Sequence, residues 1–141
     1  MELYDLDPDD ARLAQVWPVM RWLREHLDAD ALRSRYAAGY PDGYRITAGY
    51  EGDRCVVAAG WRITTSFAHG RFLYVDDLVV DPQLRSRGHG AAMLHALEAR
   101  AAADGCEQVR LDSGVQRHAA HRFYFREGYR IASHAFVKEL G

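Results

Sequence analysis

The middle of the chain changes its hydrophobic period, and that change limits the fold more than any other feature. "YRITAGY", "RCVVAAGWRITTSF" and "RFLYVDDLVV" are rich in β-branched and aromatic residues, and only the short turns "EGD" and "AHG" separate them. Turns that short reverse the chain, so three antiparallel strands are expected in succession.

On both sides of this block the spacing is helical. "DPDDARL" offers aspartates as caps before Leu13, Val16, Trp17, Met20, Leu23 and Leu27, and residues 2–6 ahead of it read as a short strand. Pro18 falls inside that helix, where its missing N–H and ring clash predict a kink or a division into two pieces. "DADALRSRYAAGY" reads as a shorter helix ended by Gly39, with "YPDGY" as the following turn. After the strands, residues 88–103 form a helix with Leu94, Leu97 and Ala101 on one face and Gly105 as its stop. The strand "QVRLDS", a helix over residues 117–127 ending at Gly128, and "YRIASHAFVKEL" as a terminal strand or bent pair of strands complete the order βααβββαβαβ. With no internal repeat and no linker, the expectation is one mixed α/β domain over residues 1–141, its mostly antiparallel twisted sheet flanked by about four helices.

A chain of 141 residues can bury a core without disulfide or metal staples. A formal charge of −2, with 27% charged and 48% hydrophobic residues, describes a globular protein rather than a disordered tail or a general nucleic-acid binder. Cys55 and Cys106 are too far apart for a chelating motif and are expected as small buried hydrophobes rather than a disulfide. "MELYDLDPDD" lacks a basic region followed by an apolar stretch, and no run is long enough to cross a bilayer. The expectation is a cytoplasmic protein without a nucleic-acid or membrane partner, and a homodimer is left open.

The stretch with chemistry is "RSRGHGAAM", between the third strand and the helix that follows. Glycines there let backbone N–H groups approach a ligand, and the helix N-terminus adds positive partial charge, so the stretch suits an anion. The P-loop requires Lys-Ser or Lys-Thr after its last glycine, and Ala91-Ala92 follow Gly90. The dinucleotide fingerprint would place its third glycine at Met93. Both fail. What remains is Arg85-x-x-Gly88-x-Gly90, with Arg85 and Arg87 able to meet a diphosphate beside the backbone.

"LVVDPQLRSRGHGAAML" resembles the pyrophosphate signature Q/R-x-x-G-x-G/A of the GNAT superfamily of acyl-CoA-dependent N-acetyltransferases. "AAHRFYFREGY" is similar to the family's late helix A-x-x-F-Y-x-x-x-G-F, with Ala120, Phe123, Tyr124, Gly128 and Tyr129 in place. The element order above is also that of the superfamily. The resemblance implies a single-domain GNAT fold in which Leu78, Val79 and Val80 offer backbone groups to the pantetheine arm, their strand splayed from its neighbour by a bulge. It implies that Arg85, Ser86, Arg87, Gly88, His89, Gly90 and Ala91 hold the diphosphate of acetyl-CoA, His89 through its N–H. The family often has asparagine three residues before the alanine of the late helix. Arg117 stands there and could reach a cofactor phosphate or stay solvated.

The family places a tyrosine hydroxyl at the cofactor sulfur, and Tyr124 occupies that position. A phenol with a pKa of about 10 is protonated at neutral pH and can give its proton to a departing thiolate. An alkylammonium acceptor must itself lose a proton before it attacks, so a base is needed. Some members carry an acid at the position of Asp76, which is the favoured base, directly or through water. An ordinary carboxylate of pKa about 4 is a weak base, so burial must raise it or a water chain must relay the proton. Asp77 is expected as a structural carboxylate paired with an arginine or with backbone. His118 and His121 lie three apart on a helix, but no third ligand follows and no metal is expected.

The family's acceptor pocket is built by the first two helices, their loop and the terminal strand, which here carry Trp22, Tyr36, Tyr40, Tyr44 and His134. Aromatic faces near carboxylates suit a cation. The expected reaction is direct acetyl transfer from acetyl-CoA to a primary amine of a small acceptor in a ternary complex. The alternatives are a non-catalytic acyl-CoA-binding sensor or subunit and a protein N-acetyltransferase.

Overall fold

A computed structural model describes residues Met1–Gly141. The chain divides into two compact units, Met1–Arg110 and Leu111–Gly141. The first contains β1 (Glu2–Leu6), α1 (Leu13–Met20), α2 (Ala29–Gly39), β2 (Arg45–Glu51), β3 (Arg54–Ser66), β4 (Gly70–Val80) and α3 (His89–Ala103), and β5 (Gln108–Leu111) carries the chain across the boundary. The sheet runs in the order β1-β2-β3-β4-β5. The first four strands are antiparallel neighbours, with Glu2 opposite Tyr50, Arg45 opposite Trp61 and Gly70 opposite Ser66. The succession expected from the strand-period block is therefore present, closed by turns at Gly52 and Gly70 with φ of 61° and 63°.

Pro18 shortens the first helix. The periodic run extends to Leu27, but α1 stops at Met20, two residues after the proline, and the following turn is held where the Trp17 indole N–H donates to the Leu27 carbonyl at 3.0 Å. In α2 the Asp28 carboxylate accepts the Ala31 N–H at 2.7 Å, an N-cap that satisfies one of the helix's free donors. Gly39 is the last residue of α2, and a 3-10 turn over Tyr40–Asp42 leads to Gly43, whose φ of 102° redirects the chain into β2.

Leu13, Val16, Val19 and Met20 of α1 join Leu32 and Tyr36 of α2 in one cluster with Ile46, Ala48, Tyr50 and Ala58 of the sheet. Met93, Leu94, Leu97 and Ala101 of α3 are buried outside that cluster, where α3 packs on β3 and β4. A helix stripe and a sheet face thus cover each other twice, which is how a chain of this size excludes water from its apolar residues.

The second unit contains α4 (His118–Arg126), ended where Gly128 takes φ of 90°. No residue in it is buried. The expected terminal strand does not form: residues 130–141 are neither helix nor strand and are exposed throughout. A strand exists only where its N–H and C=O groups meet those of a neighbour, and β propensity without that neighbour does not make one.

Candidate functional site

Between β3 and β4 the register slips by one residue. Gly60 faces Asp77 and Trp61 faces Val75, which leaves Asp76 as the extra residue of a bulge. Ordinary alternation would send Asp76 and Asp77 to opposite faces. The bulge cancels it, and both carboxylates border one cleft of about 430 Å³ with Arg24, Gly39, Asp42, Tyr44 and Arg62.

The two acids differ in setting. Asp77 is 7% exposed; it accepts from Arg24 Nε at 2.7 Å and from the Tyr44 hydroxyl, while Arg24 Nη2 donates to the Asp76 carbonyl at 2.8 Å. This is the structural pairing with an arginine expected of Asp77. Burial and the neighbouring Asp77 charge push the Tyr44 hydroxyl pKa upward, which keeps it a donor. A Cβ on Gly60 would overlap both Asp77 Oδ2 and the Tyr44 hydroxyl, so the missing side chain is what admits the pair. Asp76 keeps 26% of its side chain exposed and accepts from Arg62 Nε at 3.0 Å and Nη2 at 3.2 Å. Burial raises its pKa, and the hydrogen bonds from Arg62 oppose the rise. A carboxylate shifted this way accepts a proton more readily than an ordinary one.

Of the aromatic residues expected near the acceptor, Tyr44 lines the cleft. Tyr36 does not. It is 1% exposed, and its hydroxyl donates to the Leu6 carbonyl and accepts the Ile46 N–H at 3.0 Å, so it belongs to the core. Burial pushes that phenol up to about 12. Tyr40 packs edge-on to Tyr36 beneath the Arg45 guanidinium, Trp22 is exposed beside Arg21, and His134 lies in the exposed segment 130–141. Nothing local in the sequence marks Arg24, Arg62 or Asp42 for the cleft, and the Asp77 partner of Arg24 lies 53 residues away. Gly60 inside an apolar strand was the one available signal of close approach.

After β4, Asp81 accepts the Gln83 N–H at 3.0 Å and pairs with Arg54 at 2.5 Å, and buried Leu84 anchors the turn. Arg85 is extended, and Ser86 and Gly88 both take the left-handed region, with φ of 66° and 78°. The first helical bond of α3 runs from the Ala92 N–H to the Gly88 carbonyl, so the N–H groups of His89, Gly90 and Ala91 precede the helical ladder. Arg85 and Arg87 are exposed and make no ion pair, and a Cβ on Gly88 would meet nothing within 4 Å. Open space therefore faces two guanidiniums and a helix N-terminus, a setting that fits a diphosphate. His89 is 9% exposed with Nε2 3.4 Å from Glu51, so its ring is turned into the protein.

Leu78, Val79 and Val80 stay in register with Ala59, Ala58 and Val57 of β3, so no bulge splays them on that side. Their other edge is open for a different reason. β5 joins β4 beside Arg71, whose carbonyl accepts the Glu107 N–H at 2.8 Å, and its 4 residues cannot follow the 11 of β4 to the far end.

In the second unit, Arg117 is the N-cap residue of α4, and the Tyr124 ring stands edge-on to Phe123 and Tyr129 at 5.2 and 5.9 Å. Burial raises the Tyr124 pKa and the Arg117 charge opposes the rise. His121 Nε2–H donates to the Gly114 carbonyl at 2.7 Å. Nowhere do three His, Cys, Asp or Glu side chains gather as metal ligands would. Both cysteines are free; burial pushes the Cys55 thiol up to about 12.

Known proteins resemble the chain along nearly its whole length. Residues 2–129 match the Acetyltransferase (GNAT) family. The uncharacterized N-acetyltransferase YhdJ of Bacillus subtilis is 34% identical over 129 residues, covering 90% of this chain and 91% of that protein. The aminoalkylphosphonate N-acetyltransferase of Salmonella typhimurium is 30% identical over 122 residues, covering 84% and 78%. Among solved structures, the aminoglycoside N-acetyltransferase AAC(6')-Iy in complex with CoA shares the fold with a TM-score of 0.84 at 12% identity, covering 99% of this chain and 93% of its own. With the family matched along nearly the whole length and two relatives, at 34% and 30% identity, named for acetyl transfer to nitrogen, the chain belongs to the GNAT family of acetyl-CoA-dependent N-acetyltransferases.

Proposed function

We propose that the protein transfers an acetyl group from acetyl-CoA to a primary amine of a small acceptor, by direct attack within a ternary complex. The observation that carries this reading is the β4 bulge, which turns Asp76 into the same cleft as Arg24, Asp42 and Arg62 and leaves it with a raised pKa. Acetyl-CoA supplies the activated thioester. The loop over residues 85–91 holds its diphosphate through Arg85, Arg87 and the N–H groups of Gly88, His89, Gly90 and Ala91, with Ser86 shaping the turn and Arg117 as a further phosphate partner. The free edge at Leu78, Val79 and Val80 receives the pantetheine amides. Asp76 accepts the proton of the ammonium, and the Tyr124 hydroxyl, kept protonated by burial, donates to the departing sulfur.

The acceptor cleft holds guanidiniums as well as carboxylates. Amines that also carry an anion are therefore reasonable acceptors, and a relative at 30% identity is named for aminoalkylphosphonates. The test is thiol release from acetyl-CoA with 2-aminoethylphosphonate, simple alkylamines, polyamines and a lysine-rich peptide at matched amine concentration. Turnover with a small amine is expected. Tyr124→Phe lowers kcat by about 100-fold or more while acetyl-CoA affinity stays. Asp76→Asn causes a smaller loss and removes the limb on which activity rises with pH. Preference for the peptide points to a protein acetyltransferase, and acetyl-CoA binding without thiol release from any amine points to a binding module.

A further inference from the structure

We propose that Arg62 selects the acceptor by changing partners: it leaves Asp76 for an anionic group on the incoming amine, and Asp76 takes the ammonium in its place. The inference rests on the reading of Asp76 as the base and of its cleft as the acceptor site, and it assigns the acceptor's anion to one of the two arginines there.

The sheet brings the pair together. Arg62 of β3 stands opposite Tyr74 of β4, and Asp76 lies two residues beyond Tyr74, so the three side chains share a face and Arg62 meets Asp76 across the diagonal. The guanidinium lies over the Tyr74 ring, 5.0 Å from its centroid, and Nε and Nη2 donate to the two oxygens of the Asp76 carboxylate. Both oxygens are therefore engaged, and the charge of Asp76 is balanced before an acceptor arrives. A simple alkylammonium has to separate this pair and offers Arg62 no anion in return. An amine that also carries a phosphonate, phosphate or carboxylate makes an exchange, guanidinium to anion and carboxylate to ammonium, and leaves no charge unpaired.

The other arginine of the cleft is not free to do this. Arg24 donates from Nε to Asp77 and from Nη2 to the Asp76 carbonyl, and Asp77 is 7% exposed, so withdrawing Arg24 would strand a buried carboxylate. The Arg62 side chain is 47% exposed and that of Asp76 26%, so their pair opens toward solvent at less cost. The Tyr74 ring meanwhile holds the guanidinium at the cleft while its donors change partner. Asp76 is faced by Arg62 from β3, by Asp77 beside it on β4 and by Arg24 from the segment after α1, with Tyr44 and Asp42 lining the same cleft. Burial raises its pKa and Arg62 holds it down, so the departure of Arg62 leaves a stronger base where the ammonium arrives. One ammonium proton passes to Asp76 and the nitrogen bonds to the acetyl carbonyl carbon. The carbon–sulfur bond breaks with its electron pair on sulfur, and a second nitrogen proton balances the free thiol.

The test measures thiol release from acetyl-CoA by the full-length protein, Arg62→Gln and Arg62→Lys, with 2-aminoethylphosphonate, propylamine or spermidine as acceptor. Wild type is expected to prefer 2-aminoethylphosphonate to propylamine in kcat/KM. Arg62→Gln lowers that ratio by about 30-fold or more, mainly through the KM of the phosphonate. Arg62→Lys keeps the charge without the fork and restores part of the ratio. In NMR spectra of the wild-type protein, the Arg62 Nε–H resonance shifts on addition of 2-aminoethylphosphonate or of methylphosphonate, and the Arg24 resonance does not. Equal losses for both amines in Arg62→Gln, as a purely structural arginine would give, overturn the inference. A wild-type preference for propylamine or spermidine overturns it too, and either result leaves acetyl transfer to a small amine standing. If no small amine releases thiol, it is the acetyl-transfer reading that fails, and the Arg62 resonance then decides alone: a shift with methylphosphonate supports the assignment and an unmoved resonance overturns it.

Discussion

The two units solve the problem of burying apolar surface differently. Every buried side chain lies between Leu6 and Ala101, and the unit Leu111–Gly141 contributes none. In the first unit three helices and a sheet supply matching faces. The second has one short helix and no partner layer of its own, and a segment shorter than about 40 residues seldom sustains a core alone. A motif can be local and complete, as "AAHRFYFREGY" is, without supplying a buried core of its own.

The contrast breaks most sharply in the core. Leu94 is 0% exposed, and Leu94→Ala is expected to cost about 2–5 kcal/mol in urea unfolding, the lost transfer energy plus the cavity left behind. A loss under 1 kcal/mol would mean that α3 is not the tightly packed layer described.

A smaller effect is expected from Asp10, on the surface of the same unit. Hydrogen bonds from the Arg12 guanidinium and its backbone N–H hold the Asp10 carboxyl at about 2, below the ordinary carboxylate value. A depressed folded pKa adds stability above about pH 4 that is lost as pH falls through about 2. Asp10→Asn should therefore narrow its deficit relative to wild type across that window, and the deficit near neutrality should stay within about 1 kcal/mol because the pair is partly solvated. Stability curves of both proteins between pH 2 and 7 check the sign.

The smallest effect belongs to the second unit. Val115 is 83% exposed, and Val115→Ala is expected to change stability by no more than about 0.5 kcal/mol in the same unfolding assay. A loss comparable to that of Leu94→Ala would erase the distinction between the units.

The legible parts of the fold were those decided by a few neighbouring residues. The strand period over residues 45–80 and the glycines at 39, 105 and 128 report local backbone geometry, and the structure has strands and helix ends there. The extent of α1 was half legible, since Pro18 announces a break without saying that the helix would stop at Met20. In the site, the glycine and arginine loop could be read, whereas the pairing of Arg24 with Asp77 and of Arg62 with Asp76 could not, because those partners meet only after the sheet and the α1–α2 connection have formed. Tyr36, expected at the acceptor pocket, lies in the core, since an aromatic ring carries the same helical phase whichever layer lies beneath it. The terminal segment failed for the opposite reason: its propensity was clear, and propensity without a paired neighbour does not make a strand.

The bulge at Asp76 also fixes how this strand can change over generations. It is an offset of one in a pattern that counts by twos, so every position after it has the parity opposite to that of an unbroken strand. A substitution at Val75, Asp76 or Asp77 alters that side chain's own contacts and leaves the count intact. Loss of a single codon there would return Asp77 and everything beyond it to the other parity. Leu78, Val79 and Val80 would exchange faces together, and the loop that starts at Asp81 would leave the sheet facing the wrong way. The length of this strand is therefore more tightly constrained than the identity of any one of its residues.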